Sequence, residues 1–225
     1  MVKRYKLIAC MTIADELDGS LPEGTETAFL EFGLHSFPDK LKIKLQEEID
    51  RTGGVDAILL GYGLCSMATL GLNSPNCTLV IPRVHDCIGI FLGSDRRYKE
   101  EIQQAPGTYY LTKGWIEHGG DPLKVYEKWK EEHGDRMAEL LYKKTMHNYT
   151  RLAFIRTTDE DQDNYICYAR SAAENLGLKH EVVQGNRELL KKMLAGEWDD
   201  DFVVIEPGSR PMLTDFLKGN SPANP

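Results

Sequence analysis

Three short, largely apolar and strand-like runs in the N-terminal half are each closed by a cysteine, after which the chain turns: YKLIAC ends at Cys10, DAILLGYGLC at Cys65 and TLVIPRVHDC at Cys87. Residues 5–10, 57–60 and 78–81 show no polar alternation, so they read as strands buried on both faces, as in a parallel sheet. Between the first two, Leu41, Leu45 and Ile49 recur at helical spacing until Gly53 and Gly54 stop the helix. The acidic segment from Asp15 to Thr27 reads as a loop, and Pro82 is expected to end ladder pairing in the third strand. Alternation of strand, helix and strand predicts βαβ units.

Further along, Ser94 stands where it would cap a helix through RRYKEEIQ, and PGTYYLTKGW reads as a turn, a strand and a second turn. From Asp121 to about Asn148, Leu123, Tyr126, Trp129, Met137, Leu140 and Leu141 keep helical spacing with a break at His133-Gly134. The pattern then repeats: strand RLAFIR, a helix through YICYARSAAENLG, strand HEVVQG, a helix through NRELLKKMLAG starting near Asn186 and stopping at Gly196, and strand DFVVIEPG. The expected fold is α/β, two Rossmann-like halves with largely parallel sheets around a central crevice. Residues 1–120 form the N-terminal lobe with the cysteine motifs, 121–150 a helical connector, 151–218 the C-terminal lobe, and 219–225 a frayed tail.

Charge narrows the partners. With 35 acidic against 27 basic residues and a net charge of −8, the chain lacks the basic footprint of a nucleic-acid binder. The N-terminal apolar stretch is interrupted by Thr12 and ended by Asp15 and Glu16 before a signal-peptide core is complete, and no run reaches membrane-spanning length. A cytoplasmic protein without membrane partners is expected. In a reducing compartment, five cysteines, an odd count, read as thiols, ligands or nucleophiles.

In open α/β sheets the carboxyl ends of the strands form the place where chemistry sits, so Cys10, Cys65 and Cys87 are positioned to converge. Neighbouring strands lie about 4.8 Å apart, close enough for their terminal thiolates to share a metal or a cluster. Three thiolates on a [4Fe-4S] cluster leave one iron open; three on zinc leave a fourth position. Packing as small buried hydrophobes is the plain alternative. His85 and Asp86, beside Cys87, offer a proton carrier and the carboxylate that orients it, provided a loop lets neighbours cooperate. A helix starting at Cys87 is expected to lower the thiol's pKa. The glycines around Tyr62 in GYGLCS suit close backbone packing and match no phosphate loop. Glu206 in EPGSRP, His35 in LHSFP and Trp115 in KGWIEHG are secondary candidates for the crevice, each with an ordinary packing or turn role as the alternative. Cys77 and Cys167 read as structural.

The strings IACM, LHSFPDKL, LLGYGLCS, VIPRVHDC followed by FLGS, and PGTYYLTKGW resemble, in order, the family known as domain of unknown function 1638, over roughly residues 5–210. That resemblance implies a setting in anaerobic one-carbon metabolism, near corrinoid-dependent methyltransferases, and implies no particular reaction. Residues and resemblance together lead to the expectation of a metal-dependent enzyme acting on a small molecule, a lyase or transferase with a [4Fe-4S] cluster first and zinc second. The alternative is a non-catalytic metal-binding accessory to a corrinoid protein or methyltransferase. A metal-free binding module requires the three sulfurs to lie apart.

Overall fold

A computed structural model describes residues 3–17, 19, 21–158 and 162–217. The elements follow the chain as β1 (Tyr5–Cys10), α1 (Met11–Ala14), β2 (Glu26–Leu30), a 3-10 helix (Phe32–Ser36), α2 (Pro38–Asp50), β3 (Ala57–Gly61) and β4 (Thr78–Pro82). After them come α3 (Cys87–Leu92), α4 (Asp95–Gln104), β5 (Thr108–Leu111), α5 (Lys113–Glu117), α6 (Pro122–His133), α7 (Asp135–Met146) and β6 (Arg151–Arg156). The last are α8 (Asp163–Leu176), β7 (Lys179–Gln184), α9 (Glu188–Ala195), β8 (Phe202–Ile205) and α10 (Leu213–Leu217). The fold is α/β with two sheets, and the chain divides into two compact units, residues 1–95 with 187–225 and residues 96–186.

The first unit holds a five-stranded sheet in the order β2-β1-β3-β4-β8, parallel except for β8 against β4. Its centre is dry: Leu7, Ile8, Ala9, Ile58, Leu59 and Leu60 expose no surface. This is why those strands carry unbroken apolar runs, since a parallel strand must be apolar on both faces. The α2 helix buries the predicted stripe of Leu41, Leu45 and Ile49, and α9 packs Leu189, Leu190, Met193 and Leu194 inward, meeting β3 and β4.

The second unit is a parallel sheet β5-β6-β7 with α8 packed on β6 and β7. Leu111, Leu152, Phe154, Ala169, Ala172 and Ala173 form its core. Buried Arg151 donates to Thr108 and to Glu101 at 2.8 Å and Glu181 at 2.5 Å, tying β6 to its surroundings. Gly134, at φ 77°, divides α6 from α7 where the sequence placed a break.

Three features differ from the expectation. The β2 strand starts inside the presumed Asp15–Thr27 loop; as an edge strand it is exposed at Glu26 and Thr27 and half-buried from Ala28 to Leu30. Pairing of β4 with β3 stops at Val80, but pairing with β8 continues through Pro82 to Phe202. The division of the chain also differs, because β8 and α9 join the first unit while β5, α6 and α7 join the second. A short run such as FVVI announces a strand without saying which sheet it completes. The presumed tail, 219–225, lies outside the described residues. Among the described residues, no helix is long and apolar enough to cross a membrane.

Candidate functional site

Cys10, Cys65 and Cys87 all belong to the first unit, on the exits of the adjacent strands β1, β3 and β4. Cys10 ends β1 and stands at the N-cap of α1, where its side chain makes no capping hydrogen bond. The remaining two are brought together by backbone packing.

Gly61 and Gly63 make that packing possible. A Cβ on Gly61 would lie 2.5 Å from the Ala9 Cβ, and one on Gly63 would lie 2.5 Å from the Val84 carbonyl oxygen. Without side chains there, the β3 exit runs flush against β1 on one side and against the segment after β4 on the other. Leu64 then donates from its backbone to the Val84 oxygen, and Cys65 to the His85 oxygen, both at 2.9 Å. In return the Cys87 backbone N–H points at the Cys65 sulfur. Beyond this zipper, Cys65, Ser66 and Met67 take φ values of 46°, 54° and 70°. Three successive non-glycine residues in the left-handed region cost roughly 1–2 kcal/mol each, so the turn is held by its surroundings. Buried Thr69 helps, its hydroxyl donating to the Gly63 oxygen at 3.1 Å and the Leu64 oxygen at 3.4 Å.

On the other strand exit, Arg83 anchors the chain to β8, donating to the Asp200 and Phe202 oxygens at 2.8 Å each and to the Asp215 oxygen. Asp86 caps α3 through the Ile88 N–H at 2.9 Å, and its other oxygen lies 3.2 Å from Nδ1 of His85. The two neighbours therefore do cooperate across a loop. The His85 side chain is 64% exposed, which puts it at the rim of the site. Its pKa is raised, first by the hydrogen bond to Asp86.

Burial governs all three thiols. Burial first, then the Asp86 charge, pushes the Cys65 thiol up to about 12, with Cys10 contributing. Burial likewise drives the Cys87 thiol well upward, with Asp86, Cys65 and Cys10 adding to it. Cys10 is also raised by burial, with the Thr12 and Met11 groups working the other way. The expected depression of Cys87 by a helix start is thus corrected: α3 has six residues, and desolvation outweighs its dipole. Left alone, the three thiols stay protonated near neutral pH; a cation among them would deprotonate them.

Tyr62 is the residue that sequence reasoning passed over as packing. It is 4% exposed, its hydroxyl is buried with no hydrogen-bond partner, and burial first, then the charges of Cys10, Cys65 and Cys87, pushes its phenol's pKa upward. The signal was a large amphipathic ring between two glycines at a strand exit.

The remaining candidates lie elsewhere. His35 sits exposed in the 3-10 helix with Nδ1 2.6 Å from the Phe32 oxygen. Glu206 is exposed in the turn after β8. Trp115, on α5 in the second unit, packs at the edge of that unit's core with Tyr109. Cys77 is buried with its sulfur 3.3 Å from the Ser74 hydroxyl, and Cys167 is exposed on α8. Among the described residues, no three His, Cys, Asp or Glu side chains are grouped, as they stand, to hold a single metal ion.

No curated protein and no solved structure matches the chain. A family model does match, over residues 29–194, which takes in Cys65, His85, Asp86 and Cys87 and begins after Cys10. That match covers well over half of the sequence, and the chain belongs to the family described as Protein of unknown function (DUF1638).

Proposed function

We propose that the chain is a metal-dependent enzyme acting on a small molecule, with Cys10, Cys65 and Cys87 as ligands of a [4Fe-4S] cluster. The observation that supports this reading is the placing of Cys10, Cys65 and Cys87 at the exits of three adjacent strands of one sheet. Three protein thiolates on a four-iron cluster leave one corner open, and the bound group would supply a Lewis-acid position there. The chain's own residues supply the rest. The β1, β3 and β4 exits fix the sulfurs, the Gly63–Val84 contact keeps Cys65 beside Cys87, and His85, oriented by Asp86, carries protons at the exposed rim. The anaerobic one-carbon, corrinoid-linked setting suits such a centre.

Zinc is second. Three thiolates on zinc would leave a fourth position open, and the anaerobic setting that the family resemblance implies ranks it after iron–sulfur chemistry. A non-catalytic carrier serving a corrinoid protein or methyltransferase is the other reading, favoured by the partial exposure of the residues Cys65 and Cys87.

Anaerobic purification of the native protein and Cys65→Ala, with iron, zinc and sulfide analysis and a visible spectrum, tests the reading. About four irons with sulfide in the native protein, lost in Cys65→Ala, is the expected result. One zinc selects the second choice, and a colourless metal-free protein refutes both. Rapid transfer of the metal to an added chelator separates a carrier from an enzyme that retains its centre.

A further inference from the structure

The sheet order of the first unit, β2-β1-β3-β4-β8, changes direction at β1: β2 pairs on one side of it and β3 on the other. In open α/β sheets, ligands bind outside the carboxyl ends of the strands at such a reversal. The β3 exit reaches that edge through Cys65, Ser66 and Met67, left-handed at φ 46°, 54° and 70°. For L-residues that region is small, so the three share one backbone conformation and turn their N–H groups the same way. Successive N–H groups held in this manner form a concavity for anions. Cys65 donates its N–H to the His85 oxygen at 2.9 Å, while the Cys65 and Met67 oxygens accept from Ala68 and Leu70. Among the described residues, nothing accepts from the N–H groups of Ser66 and Met67, and both residues are exposed. The anchors at Val84 and His85 and the buried Thr69 hydroxyl keep the turn from relaxing. Two donors therefore stand ready at a strand exit with no protein partner.

We propose that the Ser66 and Met67 N–H groups bind the carboxylate of a small-molecule substrate at the β1 and β3 exits. Two adjacent donors match the two oxygens of one carboxylate, and hydrogen bonds to an ionised acceptor are the strong kind. Phosphate is the poorer fit. The chain carries a net charge of −8, and on the neighbouring β4 exit stands the Asp86 carboxylate, which accepts from the Ile88 N–H and lies beside Nδ1 of His85. A second negative charge on the ligand is repelled there. The site is made of backbone, which is why no basic motif in the sequence announces it. It gives the small molecule of the reading above a chemical class, and it stands with or without metal on the cysteines.

Acetate and inorganic phosphate are the probes. The purified native protein, its metal content measured, is labelled by rapid deuterium exchange in chloride, acetate or phosphate at equal ionic strength, and the label is located residue by residue with mass spectrometry. Acetate at about 100 mM should slow exchange at Ser66 and Met67 about tenfold relative to chloride, the effect of a dissociation constant of about 10 mM. Phosphate should slow them less. Exposed Gly54, left-handed at φ 71° but alone, is the internal reference and should exchange alike in all three salts. Met67→Ile puts a β-branched residue where the left-handed region excludes it most strongly. With its native fold checked by circular dichroism and urea unfolding, that variant should lose most of the acetate effect; should it not fold, the native comparison decides alone. Equal exchange in acetate and chloride, slowing that also reaches Gly54, or stronger slowing by phosphate overturns the proposal, as does a folded Met67→Ile with the native response. A metal-free native protein that shows the acetate effect refutes the metal reading alone, and a metal-loaded one without it refutes this proposal alone.

Discussion

Replacing Gly63 with alanine adds one methyl group, and the structure makes that methyl expensive. The new Cβ would stand 2.5 Å from the Val84 oxygen, 2.8 Å from Val84 Cγ2 and 3.0 Å from the Asp86 nitrogen. Favourable contacts begin near 3.5 Å, so the two segments must part by about 1 Å. Two of the three atoms are backbone, which cannot rotate away. Overpacking of this kind costs about 1–3 kcal/mol. Parting the segments also weakens the Leu64-to-Val84 and Cys65-to-His85 hydrogen bonds, each worth about 0.5–1.5 kcal/mol. Alanine returns about 0.4–1 kcal/mol by restricting the unfolded chain. The net loss expected is about 2–4 kcal/mol, read from urea unfolding of the metal-free protein with an unchanged slope. Gly53→Ala is the control, since its Cβ meets nothing within 4 Å and it has no left-handed φ; it should change stability by less than about 1 kcal/mol. Because the same contact places Cys65 beside Cys87, Gly63→Ala should also lose bound metal. A Gly63→Ala protein within about 0.5 kcal/mol of native stability, with Leu64 and Cys65 amides as protected as before, would refute the reasoning.

Other expectations follow from the same geometry. Gly61→Ala should cost about 1–3 kcal/mol, and adding Ala9→Gly, which removes the atom 2.5 Å away, should recover part of that in a double-mutant cycle measured by urea unfolding. Arg151→Leu leaves Glu101 and Glu181 without their shared cation and should destabilise the second unit by about 1–3 kcal/mol, seen as early loss of amide protection in β6. Lys179 and then Arg151 hold the Glu181 carboxyl below its usual range, so its stabilising contribution is present above the unfolded value near 4.3 and lost as pH falls through the lower folded value. Arg151→Leu should therefore show a shallower decline of stability in acid than the native protein.

The sequence made the buried strands legible because a parallel strand covered on both faces cannot hide its composition. The runs ending at Cys10, Cys65 and Cys87 reported both the strands and the side of the sheet on which their exits meet. Edge strand β2 was illegible for the opposite reason, as it opens on the exposed polar residues Glu26 and Thr27 and is buried only in part after them. The destination of β8 depends on long-range pairing with β4, which FVVI does not encode locally. In the candidate site, glycine at 61 and 63 signalled close approach, but not which backbone would approach. The left-handed turn at Cys65, Ser66 and Met67 runs against residue preference, and only the packed strand exits enforce it. The protonation of Cys87 turned on a balance between burial and a short helix, and burial is invisible in a string of letters.

The claim that three particular sulfurs form one centre is tested most directly by five single variants, Cys10→Ala, Cys65→Ala, Cys77→Ala, Cys87→Ala and Cys167→Ala, purified without oxygen and assayed for iron and sulfide alongside the native protein. Cys77→Ala and Cys167→Ala should keep the native iron and sulfide, while each of the other three loses most of it. Native metal content in Cys10→Ala, Cys65→Ala or Cys87→Ala, or a loss that follows Cys77 or Cys167, would contradict the account.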